Sequence, residues 1–462
     1  MRKIAIVGGG FSGILLAVHL IRRTDSPVEL IIIDRQQQFC KGIAYNTYSK
    51  KHILNVIASR MSAFQDQPDH FLDWMESRVE SDSLPRSILG NTFVPRYLYA
   101  EYLGDIWNDA LQLASKKGIR LGILDSFVSD LTSVNGEINL HLENNEIINV
   151  DYCVLATGNR LPAQLPFDPD SIAKSGNYFP DPWNEDVVNS CLDARHIAIA
   201  GNGLTMVDTV LGLKEAGYKG VIFTISPNGY NLLPHRHIGV RYELNQEQLN
   251  KCKTLAEHLN FFNRHFRRLK KAGFTSEPLI EALRPFTQEI WMKLNEAEKV
   301  IFLEKLKSKW DVGRHRIPAH IHDQIQILRE SKQFVPYKGV ISNIKPSEKG
   351  IEIHIRHKHH NKILHVSKVI NCTGPSSRIN PDGDGLLSKC LKKGILTQDF
   401  QFLGIQTDVD TYNVINSEGL RNERLFTLGP TLKGELWESI AVNELRVQAE
   451  KLAVILVKRL DP

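Results

Sequence analysis

The sequence predicts an α/β protein with two parallel sheets, the unit carrying the second sheet being inserted in the first. Three observations predict this. The apolar run Ile4–Val7 enters the glycine turn Gly8-Gly9-Gly10-Phe11-Ser12-Gly13, and Ile197–Ala200 enters a second turn, Gly201-Asn202-Gly203-Leu204-Thr205-Met206. Each turn is followed by an apolar helical stretch and another strand, the βαβ unit of a Rossmann-like dinucleotide-binding domain. Late in the chain, Arg424–Pro430 reads as a strand and turn that return to the first sheet. The organisation expected is residues 1–160 and 376–462 as one domain, with 161–375 as the other and a helical insertion at about 243–333.

Composition narrows the classes. A chain of 462 residues exceeds one ordinary core, and 42% hydrophobic with 24% charged residues is ordinary for a soluble globular protein. No apolar run reaches the roughly 20 residues of a membrane span. Met1-Arg2-Lys3 leads directly into a strand without signal-peptide architecture, so a cytoplasmic location is expected. A net charge of +5, interspersed with acids, gives no basic block for a nucleic acid. The six cysteines are scattered without a Cys-x-x-Cys pair, which argues against dithiol–disulfide chemistry, and no metal site is expected.

The first turn carries the strongest signal. Gly8 permits the tight turn, Gly10 lets backbone approach a pyrophosphate, and Gly13 lets the next helix pack close to the sheet. Phe11 and Ser12 open that helix, which ends at Arg22-Arg23, where cations suit the dipole. The strand Val28–Ile33 then ends at Asp34, followed by Arg35. An acid at that strand end accepts hydrogen bonds from ribose hydroxyls and repels a 2′-phosphate, so FAD or NAD fits this turn and NADP does not.

The strand Val154-Leu155-Ala156 ending in Thr157-Gly158, and the turn at Gly429 leading to a helix from about Trp437 to Leu460, favour FAD. Backbone N–H groups and the helix dipole there would stabilise negative charge on a reduced flavin. The second turn keeps Gly201 and Gly203, with Leu204 and Thr205 opening its helix. Met206 occupies the third glycine position, and Ser226-Pro227-Asn228 ends the next strand without an acid or an arginine. NADPH and NADH therefore both stay open, as does a vestigial site. Between Tyr242 and Gln333 the pattern is helical and reads as a cover over a cleft or as a dimer face. His235, Arg236 and His237 are close enough in sequence to supply a phosphate contact, and His315 with Arg314 and Arg316 reads as a polar, cationic pocket wall.

These motifs, with His52-Ile53-Leu54-Asn55-Val56, Met61-Ser62-Ala63-Phe64, Phe93-Val94-Pro95-Arg96, Asp181-Pro182-Trp183, Asn371-Cys372-Thr373-Gly374-Pro375 and Gly434-Glu435-Leu436-Trp437-Glu438, resemble a poorly characterised bacterial family of FAD-NAD(P)-binding proteins. Asn55, Met61, Phe64, Asp66 and Pro68 are similar to a segment of class B flavin-containing monooxygenases, with a one-residue length difference. That resemblance implies a flavin-contacting, catalytic role for Asn55 and cofactor contacts from Met61 and Ser62; Arg96 is a candidate phosphate or carboxylate ligand. The link Asn177–Trp183 departs from that class, which has a glycine and a His-Ser pair there, so its NADPH-positioning role does not transfer.

The function expected is an FAD-dependent oxidoreductase reduced by NAD(P)H, hydroxylating a small molecule through a flavin peroxide. The alternatives are an NAD(P)H-dependent reductase or dehydrogenase serving a quinone or protein acceptor, and a non-catalytic FAD-binding protein. Substrate and oligomeric state are not readable from the sequence.

Overall fold

In the computed structural model, which describes residues 1–460 apart from 36–38, 79–83, 135–136, 168–171, 173–174 and 349, the first glycine turn leaves the middle of a six-stranded sheet. Its strands lie in the order Asn413–Ile415, Arg421–Thr427, Tyr152–Leu155, Arg2–Val7, Val28–Asp34 and Arg120–Asp125. All neighbours are parallel except the first pair, which is antiparallel. Covered faces explain why the central strands read as continuous apolar runs. Ile4 and Ile6 pack under the helices Phe11–Arg23, Arg96–Lys116 and Val442–Leu460. Ala5 and Val7 pack under the antiparallel strands Val128–Val134, Glu137–Leu142 and Ile147–Val150 and the helix Leu386–Lys392.

A second sheet is wholly parallel, in the order Phe334–Lys338, Val221–Ser226, His196–Ala200, Lys368–Asn371 and Tyr178–Phe179. The helices Leu204–Glu215 and Ala319–Glu330 cover one face, and the antiparallel strands Val340–Ser347, Gly350–His357 and His360–Val366 cover the other. All strands of this sheet fall between strands of the first, so the second sheet is inserted in the first, as the two turns predict. The two segments that cross between the sheets meet as a bridge, Pro162 with Pro375.

The helical stretch contains more breaks than its apolar spacing suggests. The expected run from Glu277 to Leu306 is interrupted at Arg284-Pro285-Phe286 and again at Leu294-Asn295. Capping boxes at Thr254 with Glu257 and at Asn295 with Glu298 fix two of the helix starts by satisfying orphan N–H groups. The last helix begins at Val442 and not at Trp437, because Glu438 takes a left-handed φ of 52° that a helix excludes. Among the described residues, no helix is long and apolar enough to cross a membrane.

Candidate functional site

The first turn is built by close approach. Gly8 has φ 114°, and a Cβ there would lie 2.2 Å from the Ala156 carbonyl oxygen. A Cβ on Gly13 would lie 1.9 Å from the Gly8 carbonyl oxygen. Only bare backbone lets the strand end, the helix start and the Ala156-Thr157-Gly158 crossover meet. Gly10 is the N-cap of Phe11–Arg23 and caps it with no side chain, so the N–H groups of Phe11 and Ser12 stand at an open helix N-terminus.

Three further groups converge on this turn. Asp34 accepts the Gly9 N–H at 2.6 Å and the Arg35 N–H at 2.7 Å. Burial pushes its carboxyl above the ordinary value, against the pull of those two N–H donors. Gly429, at φ 84°, packs on Ser12: a Cβ there would be 3.1 Å from the hydroxyl oxygen. The Thr157 hydroxyl is buried without a hydrogen-bond partner, and Gly158 faces open space. A buried polar orphan next to an uncapped helix start and bare glycines fits a dinucleotide whose hydroxyl and phosphate oxygens would satisfy it. The Arg35 side chain leaves the turn, pairing with Glu143 at 3.3 Å and lying over Phe127.

The second turn repeats the construction. Gly201 has φ 107°, and its Cβ would lie 2.2 Å from the Cys372 carbonyl oxygen. Nothing lies within 4 Å of a Cβ on Gly203. Met206 turns into the core at 3% exposure, so the bulk at the third glycine position is accommodated beside the sheet and away from the turn.

Two cavities lie beside these structures, the first at Gly158, in the crossover that meets the first turn, and the second at the second turn itself. One of about 380 Å³ is lined by Gly158, Arg160, Thr431, Lys433 and Trp437. The other, about 610 Å³, lies over Gly201, Asn202, Gly203, Leu204 and Thr205. Lys307, Asp311, His315, Thr373 and Gly374 line both. The short helix Lys307–Arg314 is therefore a shared wall, and the helical stretch is part of the site as well as a cover. His315 lines both cavities, but the wall is less cationic than its sequence context suggests: Arg314 faces Glu438, Arg316 donates to the Gly313 and Pro234 carbonyls, and neither lines either cavity. Burial and then Arg314 lower the His315 pKa, which favours a neutral ring.

Other candidates land elsewhere. Met61 is packed in the core, and the Ser62 hydroxyl is spent on the Phe64 and Gln67 carbonyls. The Met61 side chain and the Ser62 hydroxyl are thus engaged in packing and in a turn. For Arg96 the expectation is corrected. Its guanidinium donates to Asp208 at 2.8 Å and to the Ile53 carbonyl at 3.2 Å, tying the first domain to the helix Leu204–Glu215. Asn55 lines a narrow space of about 40 Å³, apart from both cavities, and its carbonyl accepts from His235 at 3.2 Å.

That narrow space is organised by Glu277, which sequence reading did not single out because it sits in a helix start of ordinary composition. Glu277 accepts from the His235 ring at 2.7 Å and from the N–H groups of Arg236 at 2.9 Å and His237 at 3.0 Å. The His235 ring and the backbone of Arg236 and His237 are thus taken up by a carboxylate clamp, while Arg236 itself is exposed. Burial works against its charge, but His235, the Arg236 N–H and Arg316 hold the carboxyl down to about 2. A carboxyl depressed on folding adds stability that is complete above its unfolded value, about 4.5, and disappears as pH falls through about 2. Glu277→Gln should therefore be less stable than the parent at neutral pH, with the gap closing between about pH 4.5 and about pH 2 in urea melts. A gap that stays constant over that range would refute the clamp.

Glu438 is a second missed residue. At 6% exposure and in a left-handed conformation, it accepts the Trp310 indole N–H at 2.8 Å and lies 3.4 Å from Arg314. Burial opposes its charge, yet Arg314 and then the Trp310 donor bring its pKa below the ordinary range. Glu438 and Trp437 line the first cavity, so a strained turn, not a helix start, presents them there.

The sequence model of the FAD-NAD(P)-binding family matches residues 5–160, the segment that holds the first turn, Asp34 and Thr157-Gly158. No curated protein matches the chain in sequence. Among solved structures, the ornithine N-hydroxylase of Kutzneria sp. 744 is 13% identical over 100% of both chains, with a TM-score of 0.64. The L-lysine 6-monooxygenase of Pseudomonas syringae is 15% identical over 100% of both, at 0.66. The bacillithiol disulfide reductase of Staphylococcus aureus is 12% identical over 99% of both, at 0.57. The chain thus carries an FAD-NAD(P)-binding family segment at residues 5–160, within a two-sheet fold that it shares with the ornithine and lysine hydroxylases.

Proposed function

We propose that this protein is an FAD-dependent oxidoreductase that takes electrons from NADPH or NADH and hydroxylates a small amine. The observation that carries the reading is the shared wall: the cavity at Gly158 and the cavity over the second glycine turn meet at Lys307, Asp311, His315 and Thr373-Gly374. Such a wall would bring a nucleotide on the second turn beside a group held against Gly158. The structural likeness to ornithine and lysine hydroxylases supports an amine as the acceptor. In net balance an amine, dioxygen, NAD(P)H and a proton give a hydroxylamine, water and NAD(P)+. One oxygen atom enters the new N–O bond and the other leaves as water.

FAD, when bound, supplies hydride acceptance and oxygen activation. The chain's residues bind and orient. The open helix N-terminus at Phe11 and Ser12 would hold a pyrophosphate, Asp34 a ribose, and Thr157 would donate its free hydroxyl. Gly203, Leu204 and Thr205 would receive the nicotinamide nucleotide. His315, held neutral, would wall both cavities without adding a charge. The reading includes a small-molecule substrate and a cytoplasmic location.

Anaerobic titration of the FAD-loaded protein with NADH and NADPH tests this. Bleaching of the flavin band by either nucleotide is expected, whereas no reduction by either would sink the oxidoreductase reading. Gly203→Ala sharpens the test. Because its Cβ meets nothing, stability should stay within about 1 kcal/mol, while the nucleotide concentration needed for half-maximal reduction rate rises at least tenfold. An unchanged nucleotide requirement in Gly203→Ala would remove the second turn from the site.

A further inference from the structure

The helical stretch lines a third, half-open cavity of about 460 Å³. Phe261, Phe262, Phe266, Trp291 and Trp310 form much of its wall, and among the described residues no Asp or Glu lines it. Trp437 lines both this cavity and the first. Its ring stacks on Trp291 at 4.9 Å and meets Phe302 edge-on at 5.3 Å, so it stands as the partition between them.

Concave, mostly apolar spaces of this size with a few polar groups are the usual form of small-molecule sites. Asn263, Ser276 and Thr287 also line it, and the lining side chain left with buried, unpartnered polar atoms is His258. Both of its ring nitrogens are buried without a partner. Burial and Lys293 lower its pKa, so the ring is neutral and offers one donor and one acceptor. The only cation in the lining, Lys309, is exposed. A diamino acid would bring a carboxylate and two ammonium groups into a wall with no carboxylate to meet them, at a desolvation cost.

We infer that the third cavity holds the body of the substrate, an alkyl or arylalkyl primary amine with one hydrogen-bonding group for His258, whose amino end reaches past Trp437 into the first cavity. The inference rests on the amine-hydroxylating reading above and names its substrate class. The carbon chain stays dry among aromatic rings, and only the amine meets the nucleotide-lined space.

Calorimetric titration of the FAD-loaded protein with n-butylamine through n-octylamine, and with L-ornithine, tests it without relying on turnover. Each added methylene should tighten binding about threefold to fourfold until the cavity is full, with L-ornithine weaker than hexylamine. Leu259→Trp, which fills the cavity from its wall, should weaken octylamine at least tenfold while FAD content is retained. Ile290→Phe serves if Leu259→Trp does not retain FAD. Affinity independent of chain length, or filled variants that bind octylamine like the parent, overturns the inference. Hydroxylamine assays on the same amines separate the two claims. Length-dependent binding with no hydroxylamine overturns the reaction and keeps the ligand class. Length-independent binding with hydroxylamine from L-ornithine does the reverse.

Discussion

Gly8→Ala is expected to yield a protein that carries no FAD and is less stable by about 2–6 kcal/mol, the sum of a strained backbone and an overpacked contact. The methyl would have to sit 2.2 Å from the Ala156 carbonyl oxygen at a φ of 114°, where side chains are rarely tolerated. Relief would require moving Ala156-Thr157-Gly158 away from the turn, and that segment holds the free Thr157 hydroxyl. Fold and cofactor seat are thus lost together. Flavin absorbance of the purified variant and its urea midpoint read the two effects. A variant that retains stoichiometric FAD would show that the first turn is packing alone.

Arg96→Ala should cost roughly 3–5 kcal/mol, the usual penalty for leaving a buried charge without its partner. Asp208 is 5% exposed, and burial already pushes its carboxyl up against the pull of Arg96 and His52. Removing the guanidinium also strips the Ile53 carbonyl of a donor and takes the cation from the face of Trp183, 5.6 Å away. Lysine cannot replace it, since the planar fork reaches Asp208 and Ile53 together. The double variant Arg96→Met/Asp208→Leu should recover most of the loss, because apolar groups of similar volume can replace a buried pair. Urea melts of the three proteins decide it. A single variant within 1 kcal/mol of the parent would mean that the pair does not hold the domains together.

The contrast between these two residues shows how sequence can be read. Gly8 is legible because its role is local: a strand, a turn and a helix in sequence order leave one residue type that fits. Arg96 is not, because its partner lies on another sheet's helix and no spacing reports it. Glu277 is hidden for the same reason, since its ring and N–H partners come from residues 235–237. Met61 and Ser62 differ from both. Their motif is visible in the sequence, but their side chains serve the core and a turn.

By itself the sequence determined the two βαβ units, their order, and the acid at the end of the strand Val28–Asp34, since periodicity and glycine placement are short-range properties. Tertiary structure alone decided that Thr157 and Gly429 converge on the first turn, that Lys307–His315 walls both cavities, and that Trp437 parts the first from an apolar third. Those are contacts between segments far apart in the chain. They are fixed by how the sheets and the helical stretch pack, and no local pattern encodes which side chains meet across such a seam.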